Sequence, residues 1–242
     1  MAVVPHETRQ ASLLRTLQTA QSEGAHVVVF PEFTLDLAHR EQLATHLRQT
    51  TESSIQLVVA GAFHEPVKAG ADLPAYNTAP VLNGNGKCLF SHRKLRIYGN
   101  DQDGAEYVDV GNTLTVLVTP IGCMTVLICK DFLDEDPRVD NLLAEVPVDW
   151  VWVPSYGNES TLKRHKERAY KLATLTTGTS SAVAQTQNTA TKESDPIRSH
   201  LPGFGHQAGE TTPTDVSCTG SLVVFRLKQQ SKPQGPSLTR VK

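Results

Sequence analysis

Three short runs, each closing an apolar stretch, constrain this chain more than anything else in it. They are VVVFPEF at 27–33, SHRKLRIYG at 91–99 and TVLICKDF at 125–132. The apolar part of each is short and bounded by polar, Gly or Pro residues, which is how buried strands read. Where these strands run out stand Glu32, Lys94 and Cys129. A carboxylate, an ammonium and a thiol are a general base, an oxyanion stabiliser and a nucleophile.

The rest of the chain alternates helices with strands. Residues 6–23 carry Ala11, Leu13, Leu14, Leu17 and Ala20 at helical spacing, and Gly24 supplies a stop. A compact strand is expected at 25–30, a second helix at 35–48 and a strand at 55–63. Strands at 76–82 and 87–92 flank Asn83-Gly84-Asn85-Gly86, a hairpin turn signal. Strands follow at 114–119 and 123–129, a short helix at 139–145 and a buried strand at 148–154. A longer helix at 161–175 has Leu162, Ala169, Leu172 and Ala173 on one side, and the last strands are 181–187 and 221–227. The stretch 188–219, rich in Thr, Ser, Gly and Pro, reads as a long polar loop, and 228–242 has the composition of a flexible tail or linker. One domain over 1–227 with an α/β layered fold is the expectation.

Composition narrows the function classes. Lys plus Arg number 23 against 25 Asp plus Glu, a net charge of −2, so neither nucleic acid nor a membrane surface is an expected partner. The longest apolar stretch, 114–129, is broken by Pro120 and Gly122 and is short for a bilayer. Cys88, Cys123, Cys129 and Cys218 have neither C-x-x-C spacing nor a paired histidine motif, which argues against a zinc site or a disulfide framework. The start, MAVVPHETRQ, has no basic segment followed by an apolar core, and with free cysteines it points to a cytoplasmic setting.

Taken singly, each reactive residue has an ordinary explanation. Free cysteines are among the most buried residues, most glutamates are solvated, and a basic triplet such as His92-Arg93-Lys94 is usually a surface feature. The neighbours change the weighting. Cys129 passes directly from apolar strand to Lys130-Asp131, where a thiol beside a cation is expected to be exposed and partly ionised. Glu32 lies between Phe30-Pro31 and Phe33, which would desolvate the acid and raise its pKa toward the working range of a base.

Together the three runs resemble the signature of the carbon–nitrogen hydrolase (nitrilase) superfamily, over roughly residues 7–227. The resemblance implies a four-layer α-β-β-α sandwich. It implies Glu32 as general base, Lys94 as oxyanion stabiliser and Cys129 as nucleophile, with Glu106 orienting the lysine and the Lys130 N–H completing the oxyanion site. Tyr76-Asn77 resembles a supporting pair, and Arg168-Ala169 a structural helix motif. No cofactor or metal is implied. Only residues 1–4 precede Pro5, where family members carry a strand, so that strand is short, altered or missing. The acidic loop 133–137 replaces the usual continuation after the nucleophile and is expected to help shape the substrate pocket.

The implied activity is hydrolysis of a non-peptide carbon–nitrogen bond in a small molecule, an amide ahead of a nitrile, through a thioester, by a homo-oligomer. A second reading is an assembly or regulatory module of a larger signalling or defence protein, gated by oligomerisation. A third is a Cys–His peptidase using His165, His200 or His206, which would leave the glutamate and lysine unexplained.

Overall fold

A computed structural model describes residues 6–66, 75–99, 105–176, 178–187, 203–208, 210, 214–216, 225–228 and 237–240. In chain order the elements are α1 (His6–Ser22), β1 (Val27–Val29), α2 (Leu37–Gln49), β2 (Leu57–Val59), β3 (Phe63–Pro66), β4 (Ala75–Asn83) and β5 (Cys88–Arg93). They continue with β6 (Leu117–Thr119), β7 (Gly122–Val126), α3 (Lys130–Leu133), α4 (Pro137–Glu145), β8 (Trp150–Gly157) and α5 (Glu159–Leu175). The last are β9 (Ser180–Gln187), β10 (Gly203–His206), β11 (Thr214–Val216), β12 (Phe225–Lys228) and β13 (Ser237–Arg240).

Two mixed sheets form the centre. The first runs β1-β2-β4-β3 with β5 also on β4, and the second runs β11-β10-β9-β8-β7-β6. The period-2 alternation of the strands then sorts their side chains into layers. Val58 and Ala60 face Leu13, Leu17 and Ala20 of α1 and Leu43 and Leu47 of α2, whereas Leu57 and Val59 face the other sheet. In β8, Trp150 and Trp152 join that inter-sheet core, while Val151 and Val153 pack with Leu143 of α4 and Leu162 and Leu172 of α5. The order of layers is helix, sheet, sheet, helix, as the sequence resemblance implies.

Local chemistry sets the boundaries. Gly24, at φ +70°, ends α1 as expected, with the Ala25 N–H returning to Ala20 O at 2.9 Å. Helix α2 begins two residues later than expected because Asp36 serves as its N-cap, its side chain accepting from the His39 N–H. The single strand expected at 55–63 is two strands. Gly61 breaks it at φ +64°, where a Cβ would lie 2.6 Å from Pro31 O. In the β4–β5 turn, Asn83 Oδ1 accepts from the N–H groups of Asn85 and Lys87.

The stretch 188–219, expected as loop, contains β10 and β11, which extend the second sheet beyond β9. Phe204 in β10 is fully buried in the outer core and anchors them. Of the strand expected at 221–227, residues 221–224 lie outside the described residues and the rest falls in β12. It pairs with β13, inside the stretch read as a tail, as a separate two-stranded ladder. Residues 1–5 and 229–236 lie outside the described residues. Among the described residues, no helix is long and apolar enough to cross a membrane.

Candidate active site

Glu32 stands just past β1, where the first sheet is tied to the second. Its N–H bonds Ser155 O of β8 at 3.3 Å, and its carbonyl accepts from Thr186 Oγ1 of β9 at 2.9 Å. An isolated parallel bridge to Ala62, just past the Gly61 break, holds the turn from its own sheet. The side chain is buried, and burial pushes its pKa above the ordinary carboxylate value, against the lowering pull of Lys94 and Asn77.

Lys94 follows β5 and is equally buried, its N–H bonding Asn77 O at 2.8 Å. Its Nζ lies 2.9 Å from Glu32 Oε1 and 2.9 Å from Glu106 Oε2. Burial opposes its charge, but the two carboxylates outweigh that and hold Lys94 above its ordinary range. Glu106 moves the other way. Burial alone would raise it, yet hydrogen bonds from His64 and Lys94 hold it down at about 2.

Cys129 lies between the end of β7 and the start of α3. Its N–H bonds Pro154 O at 3.0 Å, so 127–129 still follows β8 after regular pairing has ended. The backbone then turns sharply, at φ +43° and ψ −96°, a conformation rare for a side-chain-bearing residue and often found at functional sites. The thiol is 4% exposed and 3.6 Å from Tyr156 O. Contrary to the sequence expectation, it is neither exposed nor partly ionised. Burial and the nearby Glu32 charge push it up to about 11, and Lys94 offsets this only in part. The adjacent cation does not help, because Lys130 Nζ faces Asp134 at 3.9 Å. Lys130 does open α3, so its N–H has no intrahelical acceptor.

The five residues read from the sequence are therefore brought to one end of the two sheets. Three further residues hold them. Asn77, in β4, donates through Nδ2 to Oε1 of both Glu32 and Glu106, at 2.8 Å each. His64 Nε2 lies 3.1 Å from Glu106 Oε1. Asp131 accepts from the N–H groups of Leu95 and Arg96 through one oxygen, and from Ile128 N–H and His92 Nε2 through the other. That carboxylate fastens the Lys94 strand end to the Cys129 turn. A charged residue set between Ile128 and Phe132 was the available signal for it.

Other expectations fare differently. Arg168 donates to Phe132 O at 2.9 Å and pairs with Asp140, tying α5 to the nucleophile's helix. The acidic loop is fastened on both sides: Asp136 caps α4 and pairs with Arg96 and Arg138, and Glu135 pairs with Lys171. His165 meets the main-chain oxygen of Cys129 at 3.4 Å rather than its thiol, and burial lowers it to about 4. His206 lies by Glu210 O, and His200 falls outside the described residues. These contacts do not support a Cys–His pair. Among the described residues no three or more His, Cys, Asp or Glu converge as a metal site. A void of about 10 Å³ between the sheets is lined by apolar residues such as Val27, Phe90 and Trp152, none of them in the site.

A family model described as carbon-nitrogen hydrolase matches residues 7–143. No curated protein resembles the chain closely enough in sequence to count as a relative. Among solved structures, the NitFhit protein of C. elegans superposes with a TM-score of 0.65 at 16% identity, over 87% of this chain and 54% of that one. This chain thus spans about half the length of the nematode protein. An amidase of the nitrilase superfamily from Nesterenkonia AN1, in a variant form, gives 0.62 at 17% identity, over 97% and 84%. A second variant of that amidase, with the acetamide moiety of fluoroacetamide covalently added at its active-site cysteine, gives 0.59 at 18% identity, over 98% and 85%. At these identities the superpositions establish the fold.

Proposed function

The chain belongs to the carbon-nitrogen hydrolase family, and from that premise we propose that it hydrolyses the amide bond of a small molecule through a Glu32–Lys94–Cys129 triad. The observation that carries the reading is the shared buried cluster. Lys94 Nζ is 2.9 Å from Glu32 Oε1, and the Cys129 thiol lies in the field of both charges. A thiol this buried suits a small substrate better than a polypeptide.

In the resting enzyme burial holds the proton on Cys129, against its transfer to Glu32. The transfer therefore accompanies attack: Glu32 takes the proton as Sγ bonds to the carbonyl carbon. The oxyanion that forms is held by Lys94 and the Lys130 N–H. As the carbon–nitrogen bond breaks, Glu32 returns the proton to the leaving ammonia or amine, leaving a thioester. Water then attacks with Glu32 again as base. The carboxylic acid departs and the thiol regains its proton.

The choice of amide is supported by the similarity to the Nesterenkonia protein, an amidase of the nitrilase superfamily. A module role in a longer protein is the second reading, favoured by the partial coverage of the nematode protein. The test is brief exposure to limiting iodoacetamide at neutral pH, read by intact mass, with Cys129→Ala beside the wild type. Ammonia release from a panel of small amides follows. Selective labelling lost in the variant, with amide turnover, is the expected result. Labelling spread equally over the cysteines and no turnover would overturn the reading.

A further inference from the structure

We propose that His64 is a positioning residue of this site, clamping Glu106 against Lys94; the inference rests on the hydrolytic reading above. Glu106 is carried differently from its partners. Glu32, Lys94 and Cys129 each stand where a strand gives way, with the main-chain N–H bonded to a neighbouring strand. Glu106 lies in a stretch without regular structure, and its own N–H reaches only Tyr98 O, at 2.8 Å. Its carboxylate must therefore be fixed from outside.

The first sheet supplies that fixing. His64 of β3 and Asn77 of β4 are direct cross-strand partners, so both side chains leave the same face side by side. Both reach the same oxygen, Oε1, at 3.1 and 2.8 Å, which leaves Oε2 for Lys94. An ionised carboxylate only accepts, so the imidazole carries a proton on Nε2 and donates it. The ring is itself held edge-on by Phe33, the residue after Glu32, with centroids 5.2 Å apart at 83°. The titratable groups facing Glu106 are His64, Lys94 and Glu32, whose charge Glu106 feels across the shared Asn77 amide, and the next residue on β3, Glu65, faces Arg40 of α2.

The clamp decides how Lys94 divides its charge. With Glu106 in place, the ammonium serves two carboxylates and Glu32 keeps its basicity. With Glu106 free to swing away, Lys94 pairs with Glu32 alone and makes it a weaker base.

The test compares His64→Phe, which keeps the ring against Phe33 but removes the donor, with His64→Gln, which restores a donor. In His64→Phe, kcat on an amide should fall on the order of three- to tenfold, the worth of one ordinary hydrogen bond from a half-exposed ring, with KM within about twofold. The acidic limb of the kcat profile should move to lower pH. His64→Gln should recover most of both. In a Glu106→Gln background, His64→Phe should have no further effect. An unchanged kcat and limb, a change in KM alone, or losses that add fully in the Glu106→Gln background would each overturn the clamp. The acidic limb of Cys129 alkylation by iodoacetamide reads the same shift without a substrate. A wild type that turns over no amide defeats the hydrolytic reading, while this limb still decides the role of His64.

Discussion

Lys94 Nζ and Glu32 Oε1 meet at 2.9 Å with side chains 3% and 2% exposed. A pair this dry stabilises little in net terms, because desolvation consumes most of the attraction. Removing one partner is different, since it strands the other charge. Lys94→Met should therefore lower stability by roughly 3–5 kcal/mol in urea unfolding. Glu32→Gln should cost clearly less, because Lys94 keeps Glu106 at 2.9 Å. Both should abolish amide turnover, so the difference in stability separates the two roles.

Acid should act on the site in two directions. Glu106 is held at about 2 against a free value of 4.5, so its contribution is present above about pH 4.5 and lost as pH falls toward 2. His165 is lowered from 6.5 to about 4, so its contribution is likewise lost as pH falls through that interval. Glu32 is raised, so its ionisation costs stability as pH climbs above 4.5 through its folded value. Thermal midpoints measured across this range should show a shallower acid loss in Glu106→Gln. The expected difference is on the order of 1–2 kcal/mol, allowing for solvent screening of a part-exposed group.

What the sequence made legible follows physical lines. Glu32, Lys94 and Cys129 could be read because each closes an apolar run, and the unbroken apolar runs of β2 and β8 announced strands buried on both faces. Asn77 was legible only as a supporting residue, and His64 not at all. The role of His64 arises from the register His64↔Asn77, a pairing between segments that no local pattern encodes. The two strands in 188–219 were hidden for a related reason. Gly203-Phe204-Gly205-His206 offers one apolar side chain, and its partner β9 supplies the rest of the pairing. The Cys129 environment was misjudged because the direction of Lys130 depends on α3 beginning at that residue.

Gly61 tests how far the Glu32 turn depends on backbone alone. An alanine there would place Cβ 2.6 Å from Pro31 O and 3.2 Å from Leu35 Cδ1, at φ +64°. The main chain beside Glu32 would have to shift. Gly61→Ala should cost about 1–3 kcal/mol by the strain of that conformation. It should also lower kcat more than the stability loss at the assay temperature explains. Turnover measured well below the melting transition checks this, and an unaffected kcat would mean that the turn is not positioned through Pro31.

Asp131 offers the strongest single test of how the site is assembled. Its two oxygens take four donors: Leu95 N–H and Arg96 N–H at 2.8 Å each, His92 Nε2 at 3.1 Å and Ile128 N–H at 3.2 Å. The first two belong to the segment leaving Lys94, and the last to the residue before Cys129. Asp131→Asn keeps the shape but points an NH₂ at groups that are themselves donors. At least one buried N–H is then left without an acceptor, at about 1–3 kcal/mol for each such group. The variant should therefore unfold at lower urea concentration. It should also lose turnover and selective Cys129 labelling together, because one carboxylate registers both strand ends. His92→Gln replaces only the single imidazole donor and leaves the three main-chain bonds intact. It should keep most of the stability and a measurable rate. If Asp131→Asn instead retained full turnover in its folded fraction, the lysine and the thiol would be positioned independently, and the link between the two strand ends would be structural alone.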